Sequence, residues 1–217
     1  MAWKLAAGTG FCEVGGELVF LDLARDKYMA LRGEDRSAFD RLRCGEPNDS
    51  DAMTRLIGTG FLARTTGPTP IEATRVELPE LDLTSRQEPR FSPVMGISAA
   101  WALRWARRAM RPERIAATIE RLRIRKSRIG VPGADDAVAA VAASYAASRW
   151  INPLPQRCLV DALALDRILL SRGLAATMVF GVRLQPFAAH CWLQSPGLVL
   201  TGTAAEARGF TPILGVG

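Results

Sequence analysis

Histidine is almost absent from this chain: one in 217 residues, with two tyrosines and four cysteines. So few cysteines in a chain this long do not form a disulfide framework, and no C-x-x-C pairs appear, which excludes a zinc-ribbon or finger reading. No apolar run reaches the length of a membrane span, so no membrane insertion is expected. The N-terminus, MAWKLAAGTGFCEVGGE, lacks the apolar core and cleavage pattern of a secretory signal. There is no P-loop, and no G-x-G-x-x-G follows a strand, so no nucleotide, metal or other cofactor is expected. These absences point to a reducing, cytoplasmic setting in which a cysteine stays a free thiol.

What the chain does have is an ordinary globular composition, 48% hydrophobic and 23% charged, with a formal net charge of +6. Ten Lys or Arg residues lie between Arg104 and Arg128, against Glu113 and Glu120. Such a stripe fits nucleic acid, an anionic surface or an acidic partner, or is simply a solvated helix face.

The first 66 residues predict a small α+β module. Gly10–Val14, Leu18–Leu23 and Lys27–Leu31 are strand candidates, separated by Gly15-Gly16 and Ala24–Asp26. Gly33–Leu42 fits an amphipathic helix. Asp51–Ile57 fits a second, capped by Asp49 or Ser50 and ended by Gly58 and Gly60, with a closing strand at Phe61–Ala63. Residues 67–93 are proline-rich and weakly periodic and predict a linker lying along a surface. From residue 94 the pattern turns helical: Ile97–Met110, Pro112–Ile124 and Ala134–Arg149. Trp101 and Trp105, one turn apart, read as core.

Chemistry concentrates after INPLPQ. Cys158 opens a helix, CLVDALALDRILL, apolar almost all round and therefore buried; Gly173 ends it. Strands are predicted at Thr177–Val182, His190–Gln194 and Leu198–Leu200. A thiol at a helix start gains from the partial positive charge there, and an imidazole on a strand supplies the base and later the acid. The competing reading is a buried cysteine and a satisfied core histidine. Gln156 is a candidate oxyanion donor beside the Cys158 N–H, or a loop glutamine in water. Strand alternation turns Cys191 away from the face of His190, so Cys191, like Cys12 and Cys44, reads as core. Asp161, nearly one turn past Cys158, reads as surface.

The elements C-L-x-x-A-L-A-L, then P-F-x-A-H-x-W-L, then F-T-P-I-L, in that order from Pro155 to Leu214, resemble the leader peptidases of lasso peptide biosynthesis, the B proteins. The N-terminal L-V-F-L-D-L-x-x-D-K-Y-x-x-L resembles the PqqD-like leader-recognition element fused ahead of that peptidase in many such systems. The resemblance implies an α+β protein: a winged-helix-like PqqD-type module (1–66), a linker (67–93), and a transglutaminase-like, papain-like cysteine peptidase domain (94–217) with the Cys helix packed on a small antiparallel sheet. It implies Cys158 as nucleophile and His190 as base. It implies a precursor peptide as substrate, its leader gripped by Lys27, Tyr28, Met29, Ala30, Leu31, Met53 and Ile57. An asparagine-synthetase-like, ATP-dependent cyclase is the implied partner.

One departure stands out. The family's orienting aspartate, twelve residues past the histidine, is Gly202 here. Glu206 is the only acid after His190, and it or the hydroxyls of Thr201 and Thr203 are the available substitutes. A Cys–His dyad, a slow enzyme or an inactive peptide-binding scaffold are the other outcomes. A winged-helix nucleic-acid binder is a further alternative, disfavoured because Asp51–Ile57 carries only Arg55 as a cation.

Overall fold

The structure is a computed structural model that describes residues 2–46, 50–67, 69–85, 91–129, 135–151, 155 and 157–217. Three antiparallel strands, β2 (Thr9–Val14), β3 (Glu17–Asp22) and β4 (Lys27–Leu31), form a meander in the order β2-β3-β4, so β4 is an edge. Strand β1 (Ala2–Leu5) pairs with β5 (Leu62–Thr65). Helices α1 (Gly33–Arg43) and α2 (Asp51–Thr59) lie between β4 and β5.

Alternation along β2 and β3 gives the meander two buried faces. Phe11, Leu18 and Phe20 pack with Phe39, Leu56 and Phe61 beneath the two helices. Cys12, Val19 and Leu21 join the large core of the rest of the chain. Ser50 caps α2 by accepting from the Met53 N–H, and Gly60, at φ 77°, ends it in the left-handed conformation. Gly58 stays inside the helix rather than ending it. Asp49 falls outside the described residues.

The proline-rich segment is a strap woven into both halves. Ile71 is buried under the N-terminal helices. The Thr74 N–H donates to the Phe11 carbonyl, and its hydroxyl to that of Ile213. Strand β6 (Leu81–Asp82) then pairs parallel to β9 (Leu198–Val199). Proline in the strap removes donors without excluding an edge strand.

Three helices follow: α3 (Pro93–Ala109), α4 (Pro112–Ile129) and α5 (Asp135–Ala147). They surround α6 (Cys158–Ser171), whose Leu163, Leu165 and Leu169 are wholly buried. The second sheet runs β10-β7-β8-β9-β6, with β7 (Thr177–Leu184), β8 (Phe187–Gln194) and β10 (Thr211–Val216). A short helix, α7 (Ala204–Arg208), lies between β9 and β10. The β7–β8 hairpin is longer than the alternation predicts, because Ala188 and Ala189 pair with Arg183 and Val182.

Two expectations about aromatic and basic residues are overturned. Trp101 is 70% exposed rather than core. Lys126, counted in the basic stripe, is buried and paired with Asp166 of α6 at 3.1 Å, and donates to the Val216 carbonyl. Each fits a helix whose inner face is set by its neighbours: α3 buries Ala99, Ala102, Leu103 and Ala106, which leaves Trp101 pointing out. No described helix is long and apolar enough to cross a membrane.

Candidate active site

Helix α6 begins at Cys158. Its N-cap, Arg157, is extended and its side chain makes no cap hydrogen bond, so the partial positive charge of the helix start lies at the thiol. Cys158 itself is half-buried and adjoins the main core. The first turn is clamped from behind. Asp161 accepts from the Tyr145 hydroxyl at 3.0 Å and pairs with Arg149 at 3.2 Å, with both charged side chains largely buried. Asp161 therefore ties α6 to α5, contrary to the surface role expected of it. Burial and the neighbouring Asp161 carboxylate push the Tyr145 hydroxyl far above the usual phenol range.

Strand β8 carries His190. The imidazole stacks on Trp192 at 5.8 Å and on Phe210 at 5.1 Å between ring centres. Across the pair on β7 stands Gly181, where a Cβ would lie 2.8 Å from the Trp192 ring and 2.9 Å from Phe210. Only glycine leaves room for this aromatic stack. Trp192 Nε1 donates to Gln194 Oε1, and Gln194 Nε2 donates to the Glu77 carbonyl of the strap.

Of the possible substitutes for the missing aspartate, one faces the imidazole. Glu206 Oε1 lies 3.8 Å from His190 Nε2. A Cβ on Gly202 would lie 3.7 Å from that nitrogen and 3.1 Å from Glu206 Oε2, so the family position and Glu206 address the same spot. The two hydroxyls are engaged elsewhere: Thr201 accepts from the Leu193 N–H, and Thr203 caps α7 by accepting from the Glu206 N–H. The strap supports α7 as well, because Asp82 accepts from the Ala204 N–H at 2.9 Å. Burial holds the His190 pKa below the ordinary imidazole value, and the Glu206 carboxylate opposes that shift.

The thiol and the imidazole are not joined. Among the described residues no hydrogen bond links Cys158 to His190. Alternation along β8 turns Cys191 into the core shared with α6, and His190 onto the face of Trp192 and Phe210. Cys191 is 3% exposed, and burial raises its thiol pKa well above the ordinary value. Cys12 is buried too, its pKa raised by that burial to about 11. Cys44, expected in the core, is exposed near the end of α1. Gln156 lies outside the described residues.

The residues read as leader contacts divide. Leu31 and Met53 fill the module's own core. Lys27, Met29, Ala30 and Ile57 are exposed. Tyr28 points the other way: it meets Phe187 of β8 edge-on at 5.6 Å and packs, like Cys158, against the main core. Its hydroxyl is pushed far up by burial and by the nearby Cys191, Asp26 and Cys158. Tyr28, Phe210 and Gly181 belong to the site's surroundings and carry no periodic signal; D-K-Y-x-x-L marked Tyr28, but as a leader contact, and F-T-P-I-L marked Phe210. Among the described residues no cluster of His, Cys, Asp or Glu converges to hold a metal ion.

Residues 98–215 match the family Transglut_core3, the transglutaminase-like superfamily. The microcin J25-processing protein McjB of Escherichia coli is 44% identical over 50 residues, which cover 23% of this chain and 24% of that protein. That match bears out the resemblance to the lasso-peptide B proteins, and it spans about a quarter of the relative's length. No solved structure matches. With more than half of its residues matched, including both Cys158 and His190, the chain belongs to the transglutaminase-like superfamily.

Proposed function

We propose that this protein is a cysteine leader peptidase of lasso peptide maturation. The observation that carries the reading is the pair of half-sites within the family match: a thiol on the first residue of a buried helix, and a strand imidazole with a carboxylate 3.8 Å from its Nε2. The similarity to a microcin-processing protein supports the pathway.

In this reading residues 1–66 act as a PqqD-like, winged-helix-like recognition module, 67–93 as the connecting strap and 94–217 as the peptidase. The leader adds as a strand to the open edge of β4, where backbone pairing gives affinity and Met29 and Ile57 give apolar grip. The reading requires the Cys158 thiol and His190 Nδ1 to meet when the leader is bound, a contact the free chain lacks. His190 takes the thiol proton, and the thiolate attacks the carbonyl carbon joining leader to core. The Cys158 N–H and Gln156 receive the oxyanion. Glu206 stabilises the imidazolium at Nε2. His190 then returns the proton to the departing amine of the core, and water, deprotonated by the same imidazole, releases the leader from the thioester. The freed core passes to an ATP-dependent, asparagine-synthetase-like cyclase in the cytoplasm.

The missing thiol–imidazole hydrogen bond and the glycine at position 202 favour a second reading: a peptide-binding scaffold of the same pathway without catalysis. Mass spectrometry of the precursor peptide incubated with the full-length chain separates the two. Release of intact leader by wild type and its loss in Cys158→Ala supports the peptidase. Binding without release by wild type supports the scaffold.

A further inference from the structure

We propose that the outer face of α3, with the clefts beside it, docks an acidic amphipathic helix presented by a protein partner. Val94, Ile97 and Trp101 are 70%, 64% and 70% exposed. They fall at i, i+3 and i+7, so they form one stripe along the helix. Arg104 and Arg108 continue the same stripe and are exposed. The opposite side of α3 is packed solid, which makes this a finished helix with an apolar outer edge.

Beside the stripe the surface is concave. A cleft of about 330 Å³ is lined by Trp101, Trp105, Arg108, Arg167 and Ser171, among others. A second, of about 360 Å³, continues past Trp105 and Arg108 to Arg114 and Arg121. Arg167 lies over the Trp105 ring at 4.5 Å. Among the described residues no ion pair occupies Arg104, Arg108, Arg114, Arg121 or Arg167. Arginine beside exposed tryptophan is the composition of binding hot spots.

Charge complementarity selects the occupant. A row of free guanidinium groups beside an apolar stripe matches a helix with carboxylates on one face and aliphatic side chains next to them. A second copy of this chain is disfavoured, because its own face is basic. A bilayer surface is flat on this scale and leaves the clefts unfilled. The face borders the later turns of α6, roughly 13 Å along the axis from Cys158 to Arg167 at the α-helical rise. It therefore serves a contact separate from the thiol, whatever reaction the thiol performs.

The test uses the full-length chain and a fluorescent synthetic peptide of roughly five helical turns, with Glu on one face and Leu on the other. A scrambled peptide of equal composition and vesicles of phosphatidylcholine with a quarter phosphatidylglycerol serve as comparators. The expected result is saturable anisotropy binding, weaker by roughly tenfold or more for the scrambled peptide, for Trp101→Ala and for Arg104→Glu/Arg108→Glu, consistent with a hot-spot contact. The circular dichroism and melting of both variants should match wild type, since these side chains face solvent. Absent binding, equal binding of the scrambled peptide, or binding unchanged in both variants overturns the proposal. So does binding to the vesicles that is tighter than to the peptide and lost in Trp101→Ala, which makes the face a membrane contact.

Discussion

The Glu206 carboxylate lies beside the same imidazole nitrogen, His190 Nε2, that a side chain on Gly202 would approach. At 3.8 Å it is an ion-pair neighbour rather than a hydrogen-bonded orienter, so its influence is electrostatic and strongest when His190 is protonated. In the proposed peptidase, a charge at Nε2 would steady the imidazolium that forms when the thiol gives up its proton.

Glu206→Gln should therefore slow leader release, by about two- to fivefold for a half-exposed pair. It should also shift the pH profile. His190 already titrates below the usual imidazole value through burial, and Glu206 opposes this. Removing the carboxylate lowers the pKa further, so the acidic limb of kcat/KM moves to lower pH. A limb that moves upward means that another group dominates at His190.

Gly202→Asp alone meets two obstacles. Its backbone is left-handed, at φ 77°, and its new Cβ crowds Glu206 Oε2 at 3.1 Å. Aspartate tolerates that backbone better than most residues. The combination Glu206→Ala/Gly202→Asp removes the crowding side chain and should recover rate relative to Glu206→Ala. A combined variant that folds yet stays as slow as the single one removes position 202 from any orienting role.

Thiol accessibility separates the cysteines. Cys12 and Cys191 are buried, whereas Cys44 is exposed and Cys158 half-buried. In a Cys44→Ser background, iodoacetamide near neutral pH should label Cys158 alone, and Cys158→Ala should abolish both labelling and leader release. Leader release that survives Cys158→Ala at more than a trace assigns the chemistry to another residue.

Leader binding should depend on the exposed side chains of the module, not on the buried ones. Met29→Asp and Ile57→Asp should each weaken binding of a leader peptide to the full-length chain by roughly tenfold, with little change in melting. Full-length protein is the right material, because Cys12, Val19 and Leu21 are buried in the common core and would be uncovered in a fragment. Calorimetry that shows wild-type affinity in both variants places the leader elsewhere.

The buried pair Lys126–Asp166 makes a stability prediction. Asp166 is wholly buried and Lys126 nearly so, and neither charge has water to fall back on. Asp166→Leu should destabilise the chain by about 3–5 kcal/mol in urea unfolding, because it strands a buried ammonium. Lys126→Met/Asp166→Leu should recover most of that loss. Equal stability of the single and double variants would mean that water reaches Lys126.

Local signals made much of this protein legible before any coordinates. The β2–β3–β4 meander follows from alternation between the turns at Gly15-Gly16 and Ala24–Asp26, and α2 from Ser50 and Gly60 at its ends. The start of α6 at Cys158 and the strand at His190 are marked by an apolar run and by alternation, which act over one helical turn or two strand residues. The matched transglutaminase-like family was reached by resemblance, through the elements C-L-x-x-A-L-A-L and P-F-x-A-H-x-W-L.

Tertiary structure decided everything that depends on which faces meet. Glu206 reaches His190 because α7 is held at its N-terminus by Asp82, more than a hundred residues earlier on the strap. Lys126 finds Asp166 only when α4 closes over α6. Trp101 points outward because small residues on the other side of α3 fit the packing, although its hydrophobicity alone argues for the inside. Residue type and spacing determine which side chains are available and on what element. Packing and long-range hydrogen bonds, with no periodic trace in the chain, determine which of them stand together.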